Sequence, residues 1–306
     1  MNKKIIIDCD PGIDDAFALL YAFKEPSIDI ELITTVSGNV SVDKTTANAI
    51  GMVNMAKQDI RVVRGARRPL VDNPRFADNI HGVSGLGTYT FEGIDLQSHE
   101  HDDVVRELYE AIMNSEEKIT LVPIGPFTNI ARLLLLHPEV KDKIEAISIM
   151  GGGIKGGNYN MAAEFNVVVD PEAAAVMFNS GIPIIMAGLD VTEKALLYPA
   201  QLEEIAKIPT IGAFLEEIVK SNPRPQRGDS LLQLNDVLAI MVLTHPEIFT
   251  IEDLYVDVEL YGSVSRGWTL ADQRRYDRHP INTKVMTDLD YTKFSELLME
   301  RLHRYE

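Results

Sequence analysis

A chain of 306 residues, 45% hydrophobic and 25% charged, holds enough apolar material for one large core or two modest ones and is neither disordered nor fibrous. Its 29 Lys and Arg against 46 Asp and Glu leave a net charge of -17, which repels nucleic acid and anionic membrane and favours neutral or cationic ligands. One cysteine excludes an internal disulfide, and with no signal-peptide pattern or long apolar span the expectation is a cytoplasmic protein.

The chain opens on an apolar strand, residues 4–9, that runs into Asp8-Cys9-Asp10-Pro11-Gly12-Ile13-Asp14-Asp15. Pro11 and Gly12 turn the backbone, and residues 13–23 read as a helix with Asp14 and Asp15 in its first turn. Carboxylates this close raise each other's pKa unless a cation sits among them. An oxygen set without paired Cys or His points to calcium or magnesium rather than zinc. Helix capping accounts for Asp14 or Asp15 alone, but less well for Asp8 and Asp10 at the strand end. An EF-hand is excluded because the twelfth position from Asp8 is Leu19.

Further strands are predicted at 30–36, 60–63, 118–123, 146–150 and 182–187, most of them apolar throughout, as in strands buried on both faces. Helical patterns alternate with them at 42–56, 101–113, 127–136 and 171–179, and the second half is more helical, at 199–207, 211–219, 231–244 and 291–302. The alternation predicts one domain over 1–306, a doubly wound and mostly parallel α/β sheet. Segments 64–90 and 221–228 read as long surface loops. Loops leaving the carboxyl ends of such strands surround the ligand crevice.

Those strand ends are polar. Asn39 follows the second strand, where it also suits a plain turn. Ile124-Gly125-Pro126 follows the fourth, with carbonyls able to face an ion or simply to make a strand-to-helix turn. Gly151-Gly152-Gly153 follows the fifth, without the companion residues of a nucleotide loop. Asn158, Glu164 and Asn166 supply donors and acceptors that suit several sugar hydroxyls, or a structural loop network. Asn235 and Asp236 stand at a helix start, where both are common caps.

Together the acidic turn, Gly38-Asn39, His81-Gly82, Gly125-Pro126-Phe127-Thr128-Asn129-Ile130, Met150-Gly151-Gly152-Gly153, Ala163-Glu164-Phe165-Asn166 and Arg266-Gly267 resemble the inosine-uridine nucleoside hydrolase family nearly end to end. The resemblance implies calcium on Asp10, Asp15, the Ile124 carbonyl and Asp236. It implies ribose hydroxyls held by Asp14, Asn39, Asn158, Glu164, Asn166 and Asp236, with Asp10 as general base, and a homodimer or homotetramer. The expected reaction is hydrolysis of a ribonucleoside to base and ribose.

One position departs from the family pattern. Asn235 stands where well-studied members carry a His or Trp before the last metal-ligating Asp, and Asn cannot be a general acid. His81, the only histidine in a motif segment, is the remaining candidate acid. Tyr159, Trp268 and Asn235 are possible base contacts, and base preference is left open. Three other readings compete: a catalytically weak ribosyl-binding protein, a hydrolase for a modified nucleoside whose base is a good leaving group, and a magnesium phosphatase on Asp8 and Asp10, against which Pro11-Gly12 and the missing downstream Lys count.

Overall fold

The computed structural model describes residues 2–222, 228–274 and 279–305. Strands run in chain order as β1 Lys3–Cys9, β2 Ile28–Thr35, β3 Val62–Arg64, β4 Ile119–Pro123, β5 Ile144–Met150, β6 Ile184–Ala187, β7 Leu196–Leu197, β8 Leu232–Gln233, β9 Phe249–Leu254, β10 Val256–Val258, β11 Thr269–Ala271 and β12 Thr283–Leu289. Eight of them form one sheet in the order β3-β2-β1-β4-β5-β6-β12-β9. Every neighbouring pair in it is parallel except β12 with β9. β7 with β8, and β10 with β11, make small antiparallel ribbons.

The sheet is parallel because its strands are apolar on both faces and can be covered on both. In β1, Ile5, Ile7 and Cys9 pack into one layer while Ile6 packs into the other, the period-two alternation of a central strand. The first layer holds helices Ile13–Lys24, Val42–Met55, Gly212–Lys220, Val237–Thr244 and Tyr291–Leu302. The second holds Val104–Asn114, Thr128–Leu136 and Pro171–Phe178. Helix Val237–Thr244 is apolar all round and buried from Val237 to Leu243, as a helix enclosed by the fold must be.

Three expectations need correction. The helix expected over 231–244 is strand β8, then a polar turn, then a helix from Val237 with Asp236 at its N-cap. The helix expected from residue 101 starts at Val104, because the Asp103 carboxylate accepts the Arg106 N–H at 3.2 Å and ends the preceding turn. Strands β9 and β12 were not expected: β9 is an edge strand with Glu252 and Asp253 exposed, so it lacks the apolar run that marked the others. Segment 64–90 contains the short helix Asp78–His81, and of segment 221–228, residues 223–227 lie outside the described residues. Among the described residues no helix is long and apolar enough to cross a membrane.

Strand order reverses between β1 and β4, so their carboxyl ends diverge and leave a crevice. Asn129, on the helix after β4, ties the crevice floor together. Its amide donates to Asp8 Oδ1 at 2.7 Å and to the Thr35 carbonyl at 2.9 Å, and its Oδ1 accepts the Ala66 N–H at 2.9 Å. Replacing it with Leu strands three buried partners at once, and each such loss typically costs about 1 to 3 kcal/mol. Asn129→Leu is therefore expected to lower stability by at least about 3 kcal/mol in denaturant unfolding; a loss under about 1 kcal/mol would contradict this role.

Candidate active site

Every polar side chain picked out at the strand ends, apart from Asp8, lines one cavity of about 500 Å³ at the crevice. After β1, Asp10 is pinned by the Asn39 backbone N–H, which donates to Oδ2 at 2.6 Å. The Asn39 side-chain amide donates to the Asp10 carbonyl at 3.1 Å and to Asp15 Oδ2 at 3.2 Å. Asp15 Oδ2 also accepts the Gly12 N–H at 2.9 Å, fixing the first turn of helix Ile13–Lys24. Gly125 comes so close that a side-chain carbon there would stand 2.6 Å from Asp10 Oδ1.

Opposite lies the wall after β5. Glu164 caps helix Phe165–Val169, its Oε1 accepting from Asn166 N–H at 2.9 Å and its Oε2 from Gly152 at 2.9 Å and Val167 at 3.2 Å. Asn166 donates its amide to the Ile124 carbonyl at 2.8 Å and the Met150 carbonyl at 3.1 Å, linking β4 to β5. Asn158 Oδ1 accepts the Phe165 N–H at 2.9 Å. The third wall follows β8: Asn235 donates to Asp14 Oδ2 at 2.7 Å, and Asp236 is buried beside it.

The electrostatics of this cavity call for a cation. Burial, then the charge of Asp14, pushes Asp15 up to about 7. Burial with Asp15 beside it raises Asp10, and burial with Asp14 beside it raises Asp236, both well above the ordinary carboxylate value. Glu164 goes up to about 7 by burial despite its three backbone donors. Asp14, Asp15 and Asp236 each place a carboxylate oxygen within 4.8 Å of the other two. Asp15 Oδ1 is enclosed with no hydrogen-bond partner among the described residues. Convergent hard oxygens, one lacking a donor, fit a divalent cation.

The geometry also re-sorts some of the sequence candidates. Asp8 lies off the cavity: its Oδ1 takes Thr34 Oγ1 at 2.5 Å and the Asn129 amide, so it belongs to the crevice floor. His81 ends a short helix rather than lying in a loop, and lines the cavity with Nδ1 accepting the Ile13 N–H at 3.2 Å. Tyr159 lines the cavity and Trp268 does not. Phe76, Asn79, Ile80, Leu232 and Gln233 are among the other lining residues and were not singled out. The first three sit in the 64–90 segment, which had been placed around the crevice only as a whole, and the last two were concealed in a misassigned helix.

The family model for inosine-uridine preferring nucleoside hydrolase matches residues 5–296. The non-specific ribonucleoside hydrolase RihC of Klebsiella pneumoniae subsp. pneumoniae is 40% identical over 304 residues, 98% of each chain, and that of Shigella boydii 41% identical over 306 residues, 99% of each. Among solved structures, the plant nucleoside hydrolase PpNRh1 superposes with a TM-score of 0.90 at 31% identity, and a purine-preferring ribonucleoside hydrolase from Gardnerella vaginalis with 0.90 at 29%, each covering 99% of both chains. The fold and the acidic crevice are thus those of a nucleoside hydrolase, an enzyme that splits ribonucleosides into base and ribose. The chain belongs to the inosine-uridine preferring nucleoside hydrolase family.

A pH dependence of stability follows from the buried acids. In the folded chain Asp15 and Glu164 keep protons up to about 7, whereas unfolded they release them near 3.8 and 4.5. Between those values the folded state binds more protons, so the contribution of these groups to stability falls as pH rises. Chelator-treated protein should lose Tm between about pH 4 and 7, and saturating calcium should flatten that loss. Calorimetry at stepped pH tests it; a decline equally steep with calcium would speak against a cation in the cage.

Proposed function

We propose that a ribonucleoside lies in the crevice with its ribose hydroxyls on Asp14, Asn39, Asn158, Glu164, Asn166 and Asp236, and that Asp10 is the general base. A calcium ion would be held by Asp10, Asp15, Asp236 and the Ile124 carbonyl, with Asp14 close enough to join them. When bound, it supplies a positive centre that orients and modestly acidifies a water. The observation that carries this reading is the meeting of four buried aspartates with an amide and carboxylate wall in one cavity. We further propose that it acts in the cytoplasm as a homodimer or homotetramer.

The residues' own chemistry supports these roles. Breaking the N-ribosidic bond builds positive charge on the sugar ring, as in O-glycoside hydrolysis. Fixed carboxylates stabilise that charge without reorganising. Asp10 lines the cavity, and the Asn39 N–H holds one of its oxygens in a fixed orientation, as a proton acceptor for an attacking water requires. Glu164 and Asn166 bond backbone groups of β4, β5 and the turn after β5, so the sugar wall moves as one piece with the sheet.

On the leaving-group side, Asn235 spends an amide hydrogen on Asp14, orienting it rather than protonating the base. His81 accepts at Nδ1, so a neutral ring carries its proton on Nε2, the tautomer a donor at the cavity wall needs.

A panel of purine and pyrimidine ribonucleosides, assayed for reducing sugar with and without chelator, tests the reading. Asp10→Ala should lower kcat by about 1,000-fold or more. Retained turnover in that variant would remove Asp10 from the base role. Deoxyribonucleosides, missing one hydroxyl contact, should lose about 1 to 3 kcal/mol of transition-state binding, a loss read in kcat/KM.

A further inference from the structure

The Arg266-Gly267 motif lies outside the cavity lining, yet its contacts lead back to it. Gly267, at φ +87°, brings the turn before β11 onto helix Phe165–Val169, where a side-chain carbon would stand 2.9 Å from Val168 Cα. Arg266 is clamped beside it. Its Nη1 donates to the Leu260 carbonyl at 2.6 Å, and its Nη2 to both oxygens of Glu172, at 2.7 and 3.0 Å, and to Asp72 Oδ2 at 3.3 Å. Asp72 belongs to the 64–90 segment, whose Leu70 N–H donates to Asp170 Oδ2 at 2.9 Å and whose Ala77 N–H donates to the Asn39 carbonyl at 2.9 Å.

From Asp72 the charges alternate toward the cavity. The same Asp72 oxygen lies 3.6 Å from Arg75 Nη2, and Arg75 Nη1 donates to Tyr159 Oη at 3.3 Å, with the guanidinium 5.7 Å from the centre of that ring. Tyr159 lines the cavity and is 46% exposed. Within its own loop the ties are local: the Tyr159 N–H donates to the Ala163 carbonyl at 3.2 Å, and Asn160 Oδ1 accepts the Ala162 and Ala163 N–H groups at 2.8 Å. Such bonds fix the shape of a loop more than its place. Arg75 supplies the place, reaching Tyr159 from the segment that also gives Phe76 and His81 to the lining.

We propose that Arg266, Asp72 and Arg75 are positioning residues for substrate binding: they hold Tyr159, and with it Asn158, where both meet a bound ribonucleoside; this rests on the functional reading above. None of the three lines the cavity, so the relay acts on how substrate is held and leaves the acids beneath it alone. Removing it takes away binding shared by ground state and transition state, which raises KM and spares kcat. Its ion pairs, with side chains 26 to 37% exposed, are open to salt. A ribonucleoside such as uridine carries no charge, so salt reaches KM through the protein's own pairs.

The test compares wild type with Arg75→Gln, Arg266→Gln, Asp72→Asn, Tyr159→Phe and the double variant Asp72→Asn with Tyr159→Phe, on uridine and inosine at saturating calcium. Arg75→Gln should raise KM about 3- to 10-fold with kcat within about twofold, and Arg266→Gln should shift KM in the same direction. Asp72 reaches Tyr159 through Arg75, so the double variant should lose about as much as the worse single one rather than the product of both. Wild-type KM should rise between about 0.05 and 0.5 M salt, and that of Arg75→Gln should stay level. A fall in kcat that matches the change in KM, multiplying losses in the double variant, or equal salt slopes would overturn the proposal and mark the relay as structural. If wild type cleaves neither nucleoside, the functional reading fails and takes this inference with it; if it cleaves them and Arg75→Gln matches it, only the inference fails.

Discussion

Carboxylates that face one another away from water are the constraint on which this molecule is organised. Asp8, Asp10, Asp15, Glu164 and Asp236 are each at most 3% exposed, and a charge so placed survives only with donors or a cation against it. At the cavity the chain supplies most donors from backbone: Asn39 to Asp10, Gly12 to Asp15, and Gly152, Asn166 and Val167 to Glu164, while side chains serve Asp8 and share Asp15. Backbone donors sit wherever the strand ends put them. The parallel sheet is therefore part of the chemistry, because it delivers the turns after β1, β2, β4 and β5 to one place.

That demand explains residues that carry no chemistry themselves. Gly38 and Gly125 lie against the two oxygens of Asp10, and any side chain at either would displace the carboxylate. Gly12 is confined in the same way between the Asn39 amide and the His81 ring. Asp8 and Asn129, one layer below, hold β1, β2 and the helix after β4 in register, so the acids above them do not spread apart.

How much of this was legible beforehand follows the same physics. The apolar strands and the acidic turn are local patterns, and the parallel sheet followed from them, whereas the grouping of Asp10, Asp14, Asp15, Asn39, Ile124, Glu164, Asn166 and Asp236 in one site came with the family resemblance. What stayed hidden depended on distant partners. β9 reads as polar because it is an edge, and β8 is two residues whose strand character comes wholly from pairing with β7. Asp8 belonged by pattern to the acidic cluster, but alternation along β1 turns it toward the layer of Thr34 and Asn129.

The departure at Asn235 gains a physical sense from its bond to Asp14. An imidazole in that position could exchange a proton with the base, whereas an amide only donates, and here it donates to a carboxylate assigned to the sugar. The residue thus restrains a carboxylate of the acidic crevice and has no proton to give a departing base. With that amide engaged, the cavity lining still holds His81, whose Nδ1 accepts the Ile13 N–H at 3.2 Å and whose neutral ring therefore carries its proton on Nε2. A donor at the edge of a departing base acts only on charge that reaches that edge, so it helps most where the base spreads its charge onto an exocyclic oxygen or a remote ring nitrogen. An active site of this kind favours substrates by how well the departing base spreads charge, and depends less on how readily its glycosidic nitrogen is protonated.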